Sequence, residues 1–289
     1  MKNKKYLTMI GICLLTIFSF YYTDKIVDFA KSKDPIMIEI INNQDNFNKS
    51  AVNAVIDKNY IIPGIEGITI DVNKSYVQMK KLGKYNENLY VYDTIKPTIS
   101  IKDNYDKFVI NGNTSKKAIS LIFKFDKKEM IENINKILIN NNITATFFID
   151  GKIEEKDIEV LKELDLNNNH FGNLGYEKKY NAKTIKYTNA LLDRIDEDNH
   201  NYCYVEKDDI NVLKTCSEVK MYTIKPMVVS NIFPFTYIKQ NLENGKIFSL
   251  DTNSYTLKQL DLIIKYVRQK GYDFVTLEEI LNEKINDKY

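Results

Sequence analysis

The chain has 289 residues, enough for one large domain or a medium domain with a smaller partner. It is 44% hydrophobic and 28% charged, so a core can form and wholesale disorder is excluded. A formal net charge of +2 lacks the basic excess of a nucleic-acid binder, and no nucleic-acid partner is expected.

Residues 1–5 read as a short cytoplasmic tail carrying Lys2, Lys4 and Lys5, followed by an apolar run over residues 6–22. A helix of about 17 residues is near the lower limit for crossing a bilayer. Positive charge ahead of it places the N-terminus in the cytoplasm and the rest of the chain outside. A cleaved signal peptide needs small residues before the cut. Here the run ends Phe18-Ser19-Phe20-Tyr21-Tyr22, so an uncleaved, single-pass membrane anchor is expected.

Residues 23–49 read as a polar juxtamembrane linker, and residues 50–115 as a small α+β module. Its signals are a strand at 51–56, a turn at Pro63-Gly64 and a strand at 68–72. A helix then runs from a cap at Asn73 to Leu82 and closes at Gly83. Short strands follow at 89–92, 98–101 and 105–110. From Ala118 strands and helices alternate, the pattern of a parallel α/β sheet or barrel, over a domain set at residues 116–285. Apolar strands at 118–125 and 145–149 flank an amphipathic helix at 129–140. The last helix starts at Leu277, with Thr276 as N-cap and Glu279 in the capping-box position.

An extracellular location changes how the cysteines read. Cys13 lies in the anchor, whereas Cys203 and Cys216 flank a short strand–turn–helix segment outside. A disulfide between them is the favoured reading, and two buried free thiols is the other. No Walker A loop, dinucleotide-binding glycine motif, HExxH or GxSxG is present.

Four segments, in order, resemble the NodB-homology domain of polysaccharide deacetylases. Thr144-Ala145-Thr146-Phe147-Phe148-Ile149-Asp150-Gly151 is similar to the family's x-A-T-F-F-x-x-G strand. Asn169-His170-Phe171-Gly172-Asn173 is similar to its G-H-E-I-G-N-H segment. Gly245-Lys246-Ile247-Phe248-Ser249-Leu250 resembles its G-S-I-I-L-L, and residues 266–281 resemble its closing helix, strand and turn. The resemblance covers about 118–282. It implies a distorted (β/α) barrel with its site at the C-terminal strand ends. It also implies hydrolysis of a sugar N-acetyl group by a divalent metal such as zinc, held by one Asp and two His. A second Asp would act as base and a further His as acid.

The same alignment shows that chemistry missing. The base position is Lys124 and the metal-binding Asp position is Phe125. The two ligand histidines become Leu174 and Lys178, and the acid histidine is absent near Leu250-Asp251-Thr252. A phenyl ring and an ammonium do not ligate zinc, so no cofactor is expected. Candidate residues remaining near the mouth are Asp126, Asp150, His170, Asn173, Tyr176 and Asp251, while His200 reads as a solvated loop residue. The expectation is an inactive relative that meets a cell-wall polysaccharide or an envelope protein without turnover. The alternatives are an active N-deacetylase with relocated ligands and a structural envelope partner without glycan affinity.

Overall fold

The computed structural model describes residues 2–125, 128–153, 157–195 and 201–285. In chain order its elements begin with helices α1 (Lys2–Ser32) and α2 (Pro35–Asn43). Next come strands β1 (Val55–Asp57), β2 (Tyr60–Ile62) and β3 (Gly67–Ile70), helix α3 (Val72–Leu82), and strands β4 (Tyr92–Ile95) and β5 (Phe108–Val109). The alternating part runs β6 (Ala118–Lys124), α4 (Lys128–Asn140), β7 (Thr146–Ile149), α5 (Ile158–Leu166), β8 (His170–Asn173) and α6 (Ala182–Leu192). It continues with β9 (Tyr202–Tyr204), α7 (Ile210–Glu218), β10 (Tyr222–Ile224), β11 (Met227–Val228) and α8 (Pro234–Asn241). It closes with β12 (Ile247–Leu250), α9 (Ser254–Gln269), β13 (Asp273–Phe274) and α10 (Leu277–Leu281).

These elements form two compact units, Met1–Ser50 with Gly67–Ile95, and Ala51–Glu66 with Lys96–Tyr289. The module expected over residues 50–115 is therefore split between them. The reason is strand pairing. β2 and β5 are parallel neighbours, and β5 pairs in parallel with β10, so both extend the large sheet. β3 instead pairs antiparallel with β4. Alternation along a strand marks its two faces and says nothing about which partner it finds.

In the first unit the expected linker is largely helical. Asp34 caps α2 by accepting from the Ile36 amide at 3.0 Å, with Pro35 in the first turn. Ile36, Met37 and Ile40 then pack with Ile70, Tyr76, Met79 and Tyr90 into a small core. The cap of α3 is Asp71 rather than Asn73, and Gly83 closes the helix in the left-handed region (φ 80). The apolar run at 6–22 is one part of a single 31-residue helix that continues past Lys25 and Asp28. Among the described residues no helix is long and apolar enough to cross a membrane, so the structure does not support the spanning helix read from the sequence.

The second unit is built on a mixed α/β sheet in the order β1-β2-β5-β10-β9-β8-β7-β6-β12-β11, with β13 added beside β6. Every pairing is parallel except β1 with β2. The sheet forms an open half-barrel. β6 is buried on both faces, which explains its unbroken apolar run. Ile119, Leu121 and Phe123 join the outer core with α4, α5 and α9. Ala118 and Ile122 face the inner core with Phe148, Leu174, Tyr204 and Ile247. α10 plugs the N-terminal end of that inner core through Leu277, Ile280 and Leu281. The Leu277 amide donates to Thr146 Oγ1 at 3.0 Å, and Thr276 and Glu279 form the capping box. Cys203 of β9 and Cys216 of α7 form a disulfide, their Cα atoms 6.5 Å apart, packed with Ile185 and Met221.

Candidate functional site

Parallel strands bring their C-terminal ends to one rim, where β6, β7, β8 and β12 deliver residues named from the sequence and β9 adds Tyr204 and Glu206. A hollow of ≈ 330 Å³ opens at this rim, lined by Lys124, Phe125, Lys178, Asp251, Thr252 and Asn253. Its centre is Lys124, whose side chain is only 20% exposed. The ammonium donates to Glu206 Oε1 at 2.5 Å and pairs with Asp251 Oδ1 at 3.2 Å. It also lies 5.5 Å from the centre of the Tyr204 ring. The Tyr204 hydroxyl in turn contacts Ser249 Oγ at 2.9 Å.

Burial of Lys124 opposes its charge, but the Glu206 hydrogen bond and the nearby Tyr204 and Asp251 outweigh it and hold the ammonium above the ordinary lysine range. The Lys124 hydrogen bond holds Glu206 below the ordinary carboxylate value. Burial pushes the Tyr204 hydroxyl up to about 12. The pair thus stays charged across neutral pH. Because Glu206's folded value is depressed, its stabilising contribution is present above 4.5 and lost as pH falls through the lower folded value. Carboxyl NMR should find Glu206 titrating below 4.5 in the native protein and moving upward in Lys124→Met, with no such move for exposed glutamates.

The loop after β8 is a two-residue hairpin. Tyr176 and Lys179 exchange backbone hydrogen bonds at 3.1 and 3.0 Å, and Glu177 (φ 51) and Lys178 (φ 57) both sit in the left-handed region. Such a turn usually takes Asn or Gly at these places, because left-handed backbone strains other residues. Asp150 supplies the compensation. Its carboxylate accepts from the amides of Glu177 (2.8 Å), Lys178 (2.8 Å) and Lys152 (2.9 Å).

Asp150 is therefore a positioning residue and does not present a free carboxylate to the mouth. Asn173 is likewise engaged: its amide donates to Ile185 O (3.0 Å) and Asn189 Oδ1 (2.6 Å), and its Oδ1 accepts from Gly175 N (2.6 Å). His170 begins β8, at the opposite end of the sheet, and its Nδ1 faces Glu278 at 3.4 Å. A strand of four residues puts its first and last residues at opposite ends, so His170 is not a mouth residue. Tyr176 stands on the hairpin with its ring against Tyr187. Asp251 reaches the hollow, but its carboxylate is paired with Lys124. Asp126 and His200 lie outside the described residues.

The residues at the ligand positions do not fit a metal. Phe125 is a phenyl ring, Leu174 is 3% exposed within the inner core, and Lys178 adds a second ammonium to the hollow. Among the described residues no group of three or more His, Cys, Asp or Glu is arranged to hold one. Glu206 and Tyr204 were not named as candidates from the sequence. Their signal was position alone, at and just beyond the end of β9.

No family model matches the sequence. The uncharacterized protein YlxY of Bacillus subtilis (strain 168) is 23% identical over 283 residues, covering 89% of this chain and 86% of that protein. BA3943, described as a CE4 family pseudoenzyme from Bacillus anthracis, superposes with a TM-score of 0.67 at 22% identity, covering 88% of this chain and 98% of that one. A mutant of BA3943 described as having restored enzymatic activity superposes at 0.68, again at 22% identity, covering 88% of this chain and 100% of that one. The Bc1960 peptidoglycan N-acetylglucosamine deacetylase superposes at 0.55 with 21% identity, over 62% of this chain and 95% of that one. The chain thus has the fold of the CE4 polysaccharide deacetylases, with phenyl, isobutyl and ammonium side chains at the positions that resemblance assigns to the metal ligands.

Proposed function

We propose that the protein is a catalytically inactive, deacetylase-like protein tethered at the outer face of the cell membrane, where its mouth binds cell-wall glycan without hydrolysing it. The observation that carries this reading is the Lys124 ammonium, which stands at the position the resemblance assigns to the base and is bound to Glu206 and Asp251. The likeness to a CE4 pseudoenzyme and to a peptidoglycan N-acetylglucosamine deacetylase supports both the lost chemistry and the glycan class. Relocated ligands are disfavoured because Asp150 and Asp251 are already committed to other partners. The tether rests on α1, which exposes Leu14, Leu15, Ile17, Phe18 and Phe20, an apolar surface that a bilayer would cover.

The test combines three measurements on the purified full chain. Elemental analysis is expected to find no stoichiometric zinc, and N-acetylglucosamine polymers are expected to release no acetate. Sedimentation with insoluble peptidoglycan is expected to recover the protein. Acetate release would restore the enzyme reading, and failure to co-sediment would leave a protein partner as the ligand. Flotation with liposomes is expected for the full chain and lost in a chain starting at Lys33.

A further inference from the structure

A second hollow is bordered by the same hairpin through Tyr176. It measures ≈ 410 Å³ and is lined by Tyr176, Asn181, Lys183, Thr184 and Tyr187. That volume is within the range of about 300–1,000 Å³ that holds small ligands. Tyr176 and Tyr187 meet edge to face, their centroids 5.6 Å apart at 81°. Tyr187 is 57% exposed and Tyr176 37%, so ring surface remains open to solvent. Among the described residues both tyrosine hydroxyls, Asn181 Nδ2 and Lys183 Nζ have no hydrogen-bond partner. The lining contains no carboxylate.

This shelf is rigid. Tyr176 belongs to the hairpin whose amides Asp150 pins. Tyr187 is carried by α6, whose start is held by the Asn181–Thr184 capping box. The same helix is tied to the turn by Thr188, which donates to Gly175 O at 2.8 Å. A ligand here therefore orders little backbone on binding. An open aromatic face, ringed by donors and lacking any anion, suits the apolar face and hydroxyl edge of a neutral sugar. Lys183 opposes a cationic occupant.

We infer that the Tyr176–Tyr187 hollow is a sugar subsite, taking one neutral unit of a linear glycan while a non-adjacent unit farther along the same chain lies in the Lys124 hollow, beyond the reach of a disaccharide. Lys178 lines the first hollow and Tyr176, two residues earlier, lines the second, so the same hairpin borders both. The inference rests on the glycan reading and adds its location and its dependence on chain length.

The test is calorimetric titration of the full chain with β-1,4-linked N-acetylglucosamine oligomers from the disaccharide to the hexasaccharide. Affinity is expected to rise with length in the native protein. Tyr187→Ala should weaken the hexasaccharide about five- to tenfold and leave the disaccharide unchanged, while Tyr187→Phe keeps most of the affinity. The melting temperature of Tyr187→Ala should match the native one, since the ring is exposed. Binding that ignores both Tyr187→Ala and Tyr176→Ala overturns the subsite alone. A uniform loss at every length also overturns it. No binding by the native protein at any length removes the glycan reading as well.

Discussion

Phe125→Asp with Leu174→His and Lys178→His is expected to leave the protein without firmly bound zinc until Lys124→Asp is added, and then to bind one equivalent. The three substitutions supply one carboxylate and two imidazoles, a donor set that suits zinc. The hairpin tolerates the change at Lys178, since histidine is among the residues enriched in left-handed backbone and the Asp150 bond uses only the amide. Lys124 is the obstacle. At about 4 Å and an effective dielectric near 20, two unit charges interact by roughly 4 kcal/mol, and a divalent ion doubles the repulsion. Removing the ammonium should therefore improve zinc affinity at least about a hundredfold, read by competition with a chelating dye. Leu174→His places an imidazole in the inner core, where Leu174 packs with Phe148 and Tyr204. The metal-free variants should melt below the native protein, and zinc should raise the melting temperature of the quadruple variant. Equal zinc affinity with and without Lys124→Asp would show that the ammonium does not guard the mouth.

The second large effect is expected far from the mouth, at Glu283. This glutamate is 2% exposed and every oxygen has a donor. Oε1 accepts from Gly64 N at 2.9 Å and Ile101 N at 3.2 Å, and Oε2 accepts from the Ser100 hydroxyl. Its backbone carbonyl also accepts from Glu66 N at 2.6 Å. One carboxylate thus ties the segments at residues 64 and 100–101 to the end of the chain. Glu283→Ala strands three buried donors, each costing about 1–3 kcal/mol when unsatisfied. A loss of about 3–5 kcal/mol is expected, a large share of the about 5–15 kcal/mol typical of a domain. Urea unfolding monitored by circular dichroism measures it. Glu283→Gln keeps one acceptor oxygen and should lose about half as much, which provides a folded comparison if the alanine variant does not fold. A change below about 1 kcal/mol for Glu283→Ala would mean that water replaces the carboxylate.

The legibility of these features from sequence follows their range along the chain. The alternation from Ala118 onward, the apolar strand that becomes β6, and the Thr276–Glu279 cap are local patterns, and each stands where periodicity or spacing placed it. The loss of ligands was equally legible, because Lys124, Phe125, Leu174 and Lys178 are side chains whose chemistry needs no coordinates. Four matters were decided only by tertiary structure. Residues 51–66 and 96–115 joined the main sheet because β2 and β5 pair with each other and β5 with β10. Asp150 went to backbone amides because a strained hairpin stands beside it. His170 fell at the wrong end of its strand for a mouth residue. Lys124 met Glu206 and Asp251, which the sequence holds 82 and 127 positions away. In each case the physical reason is the same. Periodicity reports what a residue does within its own element, whereas the partner of a strand edge or a charged group is chosen by elements that arrive from elsewhere in the chain.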